Sequence, residues 1–322
     1  MQSTIEWLLE ADQPSIRYRT LTEILDRPSD DQDVRSSFTQ IPKKGWAAQI
    51  LKEQLPSFAG GWSGYWHNYS LLNRPKYITT VWKFLVLADL GLKATNEQML
   101  DTCILLRDRY LKAKYQYHLC MTANITRALI QSKFDDQRRI RRAIDWLVAE
   151  QKDDGGWHCF SPDKGTLDCW EPLSAFASLK RDRWNRGIKR SVERGAEFYL
   201  ERRLHREGKK KYEPWFRFHY PVHYYYDLLV GLEVLTSLGY ANDRRMKLAL
   251  DLLRRKRSSN GRWNLDAVQP DLASEKESSY SSVPPYEPFP AIPFALEKAG
   301  RPSKIITLRA LKVLKLVDEV GA

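Results

Sequence analysis

The chain has 322 residues, apolar residues make up 43% of it, and its formal net charge is +12. A chain of this length can bury one large core, and a basic balance of this size suits anionic partners. Four cysteines do not make a secreted disulfide scaffold. The longest apolar stretch, residues 228–238, is broken by Glu233 and Thr236, so it cannot span a bilayer.

Basic residues form three short runs, at 138–142, 209–211 and 254–257. Each run lies on or beside a polar face of a predicted helix, as solvated helix surfaces do. No helix-turn-helix, RNA-binding aromatic pattern or zinc-finger spacing accompanies them, so the sequence disfavours nucleic acid and leaves an anionic surface as a candidate partner. The first residues are acidic and lack the pattern of a signal peptide, so we expect a cytoplasmic protein.

Six segments have apolar residues at helical spacing and are rich in aromatic and β-branched side chains. Gly91 and Gly239 are typical C-terminal caps for the second and fifth of these segments. The six segments are residues 16–25, 78–91, 120–130, 169–179, 223–239 and 303–317. More charged helical patterns alternate with them along the chain, which predicts an inner and an outer layer of helices.

A second pattern joins the end of a charged helix to the turn that follows it. In residues 142–157 a Gln is followed by three residues, a Gly, one residue and a Trp, and residues 249–263 repeat this frame with Arg257 in place of the Gln. The looser copies are residues 45–62 and 194–215. A Gln at a helix end can satisfy unpaired backbone groups, and a Trp just past the turn can cover it. The repeats predict one all-α domain over residues 1–322, an (α/α)6 toroid of two concentric layers.

The repeat at residues 142–157, RAIDWLVAEQKDDGGW, resembles the QW motif of squalene and terpene cyclases and of the protein prenyltransferase β subunits that share their fold. The resemblance covers most of the chain through the looser copies. It implies a central cavity that binds an isoprenoid or another apolar or diphosphate-bearing small molecule. The leading function it implies is prenyl transfer to a zinc-activated nucleophile. The alternatives are a non-enzymatic α/α-toroid binding or scaffold protein with a structural zinc, and a terpene (squalene-like) cyclase.

The resemblance also implies a zinc site at the starts of the inner segments. Protein prenyltransferases hold zinc with an Asp and a Cys, as Asp-x-Cys just before one inner helix, and a His on the next. Here Asp168 and Cys169 precede the fourth inner segment and His223 opens the fifth, but Asp168 and Cys169 are adjacent rather than spaced by one. Cys120 opens the third segment, and Cys159 lies in the loop that leads to Cys169. In an alternating barrel these starts share one rim, so we predict that Cys120, Cys159, Cys169 and His223 bind zinc.

A cyclase that protonates its substrate needs a carboxylic acid, which the family presents as Asp-x-Asp-Asp. The run DDQD at residues 30–33 has the wrong order, and the Asp-Asp-x-x-Asp magnesium motif of ionising cyclases is also missing. A cyclase would therefore need an unconventional acid, for which Asp168 and Asp227 are the candidates.

Aromatic and basic side chains near the inner segments are candidates for the cavity wall. Aromatic rings can stack on a polyene or shield a carbocation, and cations can contact a diphosphate, although core packing or surface exposure explains the same residues. The candidates are Trp82, Trp170, Phe176, Tyr220, Tyr224, Tyr225, Tyr226, Lys83, Lys164 and Arg127. Residues 264–302 are proline-rich and lack periodicity, and form either a lid over the barrel mouth or a surface excursion.

Overall fold

The computed structural model describes residues 3–54, 79–111, 119–134, 136–207, 212–223, 225–268 and 295–320. Within these ranges the chain is helical, and β contacts are limited to isolated bridges. The α-helices are α1 (Thr4–Leu8), α2 (Pro14–Arg19), α3 (Gln32–Gln40), α4 (Gly45–Lys52), α5 (Thr80–Asp89), α6 (Glu97–Tyr110), α7 (Leu119–Gln131), α8 (Gln137–Ala149), α9 (Glu171–Ser178), α10 (Arg186–Glu201), α11 (Leu228–Ser237), α12 (Lys247–Arg255) and α13 (Lys304–Val320). A π-helical turn spans Thr20–Ile24, and 3₁₀ turns span Arg181–Arg183, Glu213–Phe216 and Arg244–Met246.

Two kinds of helix alternate along much of the chain. Helices α5, α7 and α11 are buried over almost their whole length, whereas α8, α10 and α12 bury one face. A helix that is apolar all round lies inside a core, and an amphipathic helix covers one. The described part of the chain therefore has the all-α class that its sequence predicts.

The buried helices pack against one another in chain order. Helix α5 contacts α7, α7 contacts α9, α9 contacts α11, and α11 contacts α13, which also contacts α2 and the π-helical turn. The one-sided helices lie against this set, since α6 and α8 contact α7, α10 contacts α9, and α12 contacts α11. Each amphipathic helix thus buries its apolar face on a helix that is adjacent to it in the chain.

The predicted inner segments correspond to buried helices within a few residues, except at the start of α11. That helix begins at Leu228 rather than at residue 223. Asp227 sets this start, because its Oδ1 accepts a hydrogen bond from the backbone N–H of Val230 at 2.8 Å, as an N-terminal cap does. His223 consequently lies in the turn before the helix, at φ 38°, which corrects the prediction that it opens the helix.

The two best copies of the repeated frame share one hydrogen-bond geometry. Trp157 Nε1–H donates to the carbonyl of Leu147 at 2.8 Å, and Trp263 Nε1–H donates to the carbonyl of Leu253 at 2.7 Å. Both indole rings are fully buried. Gln151 Nε2–H donates to a backbone carbonyl of α10 at 2.8 Å. The two Trp bonds satisfy carbonyls at helix ends, and the Gln151 bond ties the end of α8 to α10, so this device is structural.

No helix in the described ranges is long and apolar enough to cross a membrane. Several predictions lie partly or wholly outside those ranges. They concern residues 269–294 of the proline-rich segment, Tyr224, the basic run 209–211, and parts of the looser repeat copies, residues 55–62 and 208–211.

Candidate functional site

Three cysteines from separate segments meet where α7 and α9 begin. Cys120 is in the first turn of α7, Cys159 is in the loop after α8, and Cys169 lies two residues before α9. The Sγ atoms of Cys120 and Cys159 are 2.9 Å apart, and the backbone N–H of Cys120 donates to Cys159 Sγ at 3.3 Å. The thiol of Cys169 is hydrogen-bonded to that of Cys159. All three are free cysteines, so the fold brings together three of the four residues predicted to bind zinc.

The environment of these thiols favours their protonated form. The side-chain hydrogen bond with Cys159, followed by burial and the charge of Glu171, raises the pKa of both Cys120 and Cys169 well above its usual range. A thiolate is the form that binds metals and attacks electrophiles. The cluster therefore needs a nearby cation before it can present thiolates.

Glu171 belongs to the same cluster, although the sequence analysis did not single it out. It is the first residue of α9 and is fully buried, and neither of its carboxyl oxygens has a hydrogen-bond partner. Burial, followed by the neighbouring Cys159, raises the pKa of Glu171 well above its usual range. A signal existed in the sequence, because an acidic residue two positions after Cys169 opens a helix that is otherwise apolar.

His223 is buried at 3% exposure in the turn before α11. Its ring packs edge-on against Trp82, with 4.9 Å between the ring centroids, and its backbone carbonyl accepts a hydrogen bond from Asn124 Nδ2 at 3.1 Å. Burial, with smaller effects from His219 and Arg127, lowers the pKa of His223 to about 3. The imidazole is therefore neutral at physiological pH.

The two carboxylates predicted as cyclase acids have different surroundings. Asp168 is exposed, and its Oδ1 accepts a hydrogen bond from Trp215 Nε1–H at 2.8 Å. Asp227 is fully buried, caps α11 and lies 2.6 Å from His219 Nδ1. Burial alone would raise the pKa of Asp227, but His219, Arg309 and the cap hydrogen bond together lower it. Asp227 is thus an ionised cap, whereas a protonating acid requires the neutral form.

The predicted wall residues are distributed between a cavity and the packing between helices. Trp170, Tyr220 and Arg127 line the cavity. Phe176 packs against the ring of Trp157, at a centroid distance of 5.9 Å.

The remaining predicted wall residues contact other parts of the fold. Tyr226 O–H donates to the carbonyl of Leu204 at 2.9 Å, and Tyr225 lies edge-on to His219. Lys83 forms an ion pair with Glu53, and Lys164 is an exposed loop residue.

The cavity itself has a volume of about 270 Å³ and a charged wall. Its charged lining residues are Arg19, Asp89, Arg127, Glu233, Arg309 and Lys312. Arg127 pairs with Asp89 at 2.8 Å, and Arg309 pairs with Glu233 at 2.6 Å. The cavity wall therefore combines ion pairs with apolar side chains, and Trp170 and Tyr220 are its aromatic residues.

Comparison of the chain with protein-family models found no match, and comparison with curated proteins found none either. The function is therefore inferred from the side chains of the site.

The cysteine cluster fits zinc in its chemistry and only partly in its spacing. Three thiols and a carboxyl group are donors that zinc prefers. In the described ranges, however, no three or more His, Cys, Asp or Glu side chains are arranged so that they could hold a metal ion as they stand. Two thiolates on one tetrahedral zinc, at Zn–S distances of about 2.3 Å, are roughly 3.8 Å apart. The sulfurs of Cys120 and Cys159, at 2.9 Å, would have to separate.

Proposed function

We propose that the chain is an (α/α)6 toroid with a structural zinc centre formed by Cys120, Cys159, Cys169 and Glu171. One observation carries the metal proposal: three neighbouring thiols lie close enough to interact electrostatically with Glu171, a fully buried carboxyl group that has no hydrogen-bond partner. Glu171 takes the fourth position that the sequence analysis gave to His223.

The toroid is supported by the order of helix contacts. The buried helices from α5 to α13 contact one another in succession, and α13 contacts α2. Arg19, at the end of α2, donates to the carbonyl of Asp89, at the end of α5, at 3.0 Å. This bond connects the first inner segment to the second, as closure of a single layer of inner helices requires.

The zinc proposal rests on the electrostatics of the cluster. Glu171 contributes to the raised pKa of both Cys120 and Cys169, and Cys159 contributes to that of Glu171, so the four groups repel one another when ionised. A buried polar group without a partner costs about 1–3 kcal/mol. A divalent cation would stabilise all four ionised forms at once, and zinc bound there would crosslink its ligands.

Four protein ligands favour a structural role over catalysis, because a catalytic zinc keeps one position open. The ligands come from the start of α7, the loop after α8 and the start of α9. Such a crosslink would join two buried helices to the connection between them. Prenyl transfer and cyclisation stay predictions from the resemblance, since the charged cavity does not favour a hydrocarbon substrate.

Metal analysis of protein purified without added zinc tests the proposal. We expect about one equivalent of zinc in the wild type and a large loss in Cys159→Ser. Cys103→Ser is the matched control, because Cys103 is a fully buried cysteine on α6 outside the cluster. A wild-type protein that neither contains zinc nor takes it up after reduction would overturn the metal centre.

Thiol titration of the unfolded protein distinguishes zinc from a disulfide. The zinc centre predicts four titratable thiols after a chelator is added. Two missing thiols that return on reduction would mean that Cys120 and Cys159 form a disulfide, and the metal proposal would be wrong.

A further inference from the structure

The charged cavity lies at the carboxyl ends of the buried helices. The last residues of four of them line it: Asp89 of α5, Gln131 of α7, Ser178 of α9 and Ser237 of α11. Cys120 is at the other end of α7, eleven residues from Gln131, which is roughly 16 Å along a helix axis. The cavity extends from these helix ends to Trp170, which stands between Cys169 and Glu171. It is therefore a distinct cavity that approaches the cysteine cluster at the start of α9.

Together with Glu23, which pairs with two of them, the charged wall residues of the cavity carry one more positive charge than negative charges. Four cations and two anions line it, and Glu23 adds a third anion by pairing with Arg19 at 2.6 Å and with Lys312 at 2.9 Å. The ion pairs leave an excess of one positive charge among these side chains, and buried Asp227 reduces it by interacting with Arg309 from outside the wall. The excess is therefore one positive charge at most, which suits a ligand with no more than one negative charge.

The partial negative charge of the helix ends is compensated both from inside and from outside the cavity. From inside, Arg19 donates to the carbonyl of Asp89 at 3.0 Å. The carbonyl of Gln131 accepts a hydrogen bond from Lys93 Nζ at 2.7 Å, and the carbonyl of Ser237 accepts one from Arg181 at 3.0 Å. Neither of these donors is a lining residue of the cavity. Part of the helix-end charge is thus already compensated from outside.

Three lining side chains carry buried polar atoms that have no hydrogen-bond partner. They are the donors Arg127 Nε and Trp170 Nε1 and the acceptor Gln131 Oε1. The Arg127 guanidinium lies 5.6 Å from the Trp170 ring centroid, so one carboxylate placed beside both could accept from both. Gln131 follows Arg127 by four residues and shares its face of α7, where it would accept from a hydroxyl group of the same ligand.

We propose that this cavity binds a small hydroxycarboxylic acid with one negative charge. Its carboxylate accepts hydrogen bonds from Arg127 and Trp170, and its hydroxyl group donates to Gln131. The volume of about 270 Å³ is near the lower end of the roughly 300–1,000 Å³ typical of ligand pockets, which suits a small molecule. A carboxylate that accepts from Arg127 Nε and Trp170 Nε1 would satisfy two buried donors, and buried donors are costly to leave unpaired.

Ligand-observed NMR and calorimetry with chemically matched probes test this proposal. The probes are gluconate, sorbitol, which has hydroxyl groups without the charge, and hexanoate, which has the charge without hydroxyl groups. We expect saturable binding of gluconate in the millimolar range or tighter, and binding of each comparator weaker by about tenfold or more. Glucose 6-phosphate is included as a dianionic probe.

Variants then place the binding in this cavity. Arg127→Lys keeps a cation opposite Asp89 but removes Nε, and Gln131→Met removes the acceptor, so each should weaken gluconate binding by about tenfold. Arg107→Lys is the matched control, because Arg107 pairs with Asp108 and Asp136 and does not line the cavity. Circular dichroism and melting temperature show whether each variant is folded.

Four outcomes would overturn the proposal. They are no saturable binding of gluconate, equal binding of sorbitol, tighter binding of the phosphate ester, or unchanged gluconate binding in folded Arg127→Lys and Gln131→Met. Absence of binding would mean that water alone occupies the cavity. Zinc content, measured on the same samples, tests the cysteine cluster separately.

Discussion

Replacing His223 by Asn should change how the stability of this protein depends on pH. Asn tolerates the positive φ of 38° at this position and has no proton to exchange. Burial lowers the pKa of His223 to about 3 from its ordinary 6.5. The imidazole of His223 therefore binds a proton below about pH 6.5 in the unfolded chain but only below about pH 3 in the folded chain.

The sign and size of the effect follow from this difference. Stability that depends on neutral His223 is fully present above pH 6.5 and is lost as pH falls towards 3. One proton changes the free energy of unfolding by about 1.4 kcal/mol per pH unit, so the loss reaches about 2 kcal/mol at pH 5. The asparagine variant lacks this loss, so its destabilisation relative to the wild type should shrink by about 2 kcal/mol between pH 7.5 and pH 5.

Urea unfolding followed by circular dichroism, at several pH values and with a chelator present, measures this difference. The same substitution at the partly exposed His205 controls for the loss of a histidine as such. Parallel stability profiles for the wild type and His223→Asn would refute the reasoning, because they would mean that the folded protein protonates His223 as readily as the unfolded chain does.

Three further substitutions test other parts of the structure. Glu171 has a raised pKa, so the stability that its protonated form contributes is present below the unfolded pKa of 4.5 and is lost as pH rises through the folded pKa. Glu171→Gln in the metal-free protein should remove a decline in the free energy of unfolding of about 1.4 kcal/mol per pH unit above pH 4.5. An unchanged slope of this free energy against pH, measured by urea unfolding, would contradict the prediction. A Cβ on Gly195 would lie 2.8 Å from side-chain atoms of two neighbours, whereas one on Gly187, in the same helix, would meet nothing nearer than 3.5 Å. Gly195→Ala should therefore lower the free energy of unfolding by about 1–3 kcal/mol, and Gly187→Ala should not. Equal melting temperatures for the two variants would refute the close packing at Gly195. Asp227→Asn leaves buried His219 without its carboxylate and should cost about 1–3 kcal/mol in urea unfolding, because a buried hydrogen bond to a carboxylate is lost. A cost well below about 1 kcal/mol would show that the pair does not stabilise the fold.

The positions of the cysteines follow from local sequence once the helices are placed. Cys120 and Cys169 stand at the starts of two buried helices, and Cys159 stands in the loop after α8. When inner and outer helices alternate along the chain and run antiparallel, all inner helices start at the same end, so proximity could be inferred without coordinates. Glu171 was missed because its lack of a hydrogen-bond partner depends on every residue packed around it.

Which side of a buried helix faces the cavity could not be inferred from the sequence in the same way. An amphipathic helix such as α8 has an apolar stripe that orients it, but α9 and α11 are buried on several sides, so their sequences carry no such stripe. Phe176 and Tyr226 were therefore predicted to line the cavity, and they pack against Trp157 and Leu204 instead.

The sequence by itself determined the helical class, the alternation of buried and one-sided helices, and the placement of Trp157 and Trp263 over a helix end, because each depends on residues within about ten positions of one another. Only the tertiary structure decided the charged cavity and the surroundings of Glu171 and His223. Arg127 and Asp89 are 38 positions apart, and Arg309 and Glu233 are 76 apart. The packing of whole helices brings such distant pairs together, so helical periodicity in the sequence cannot predict these ion pairs.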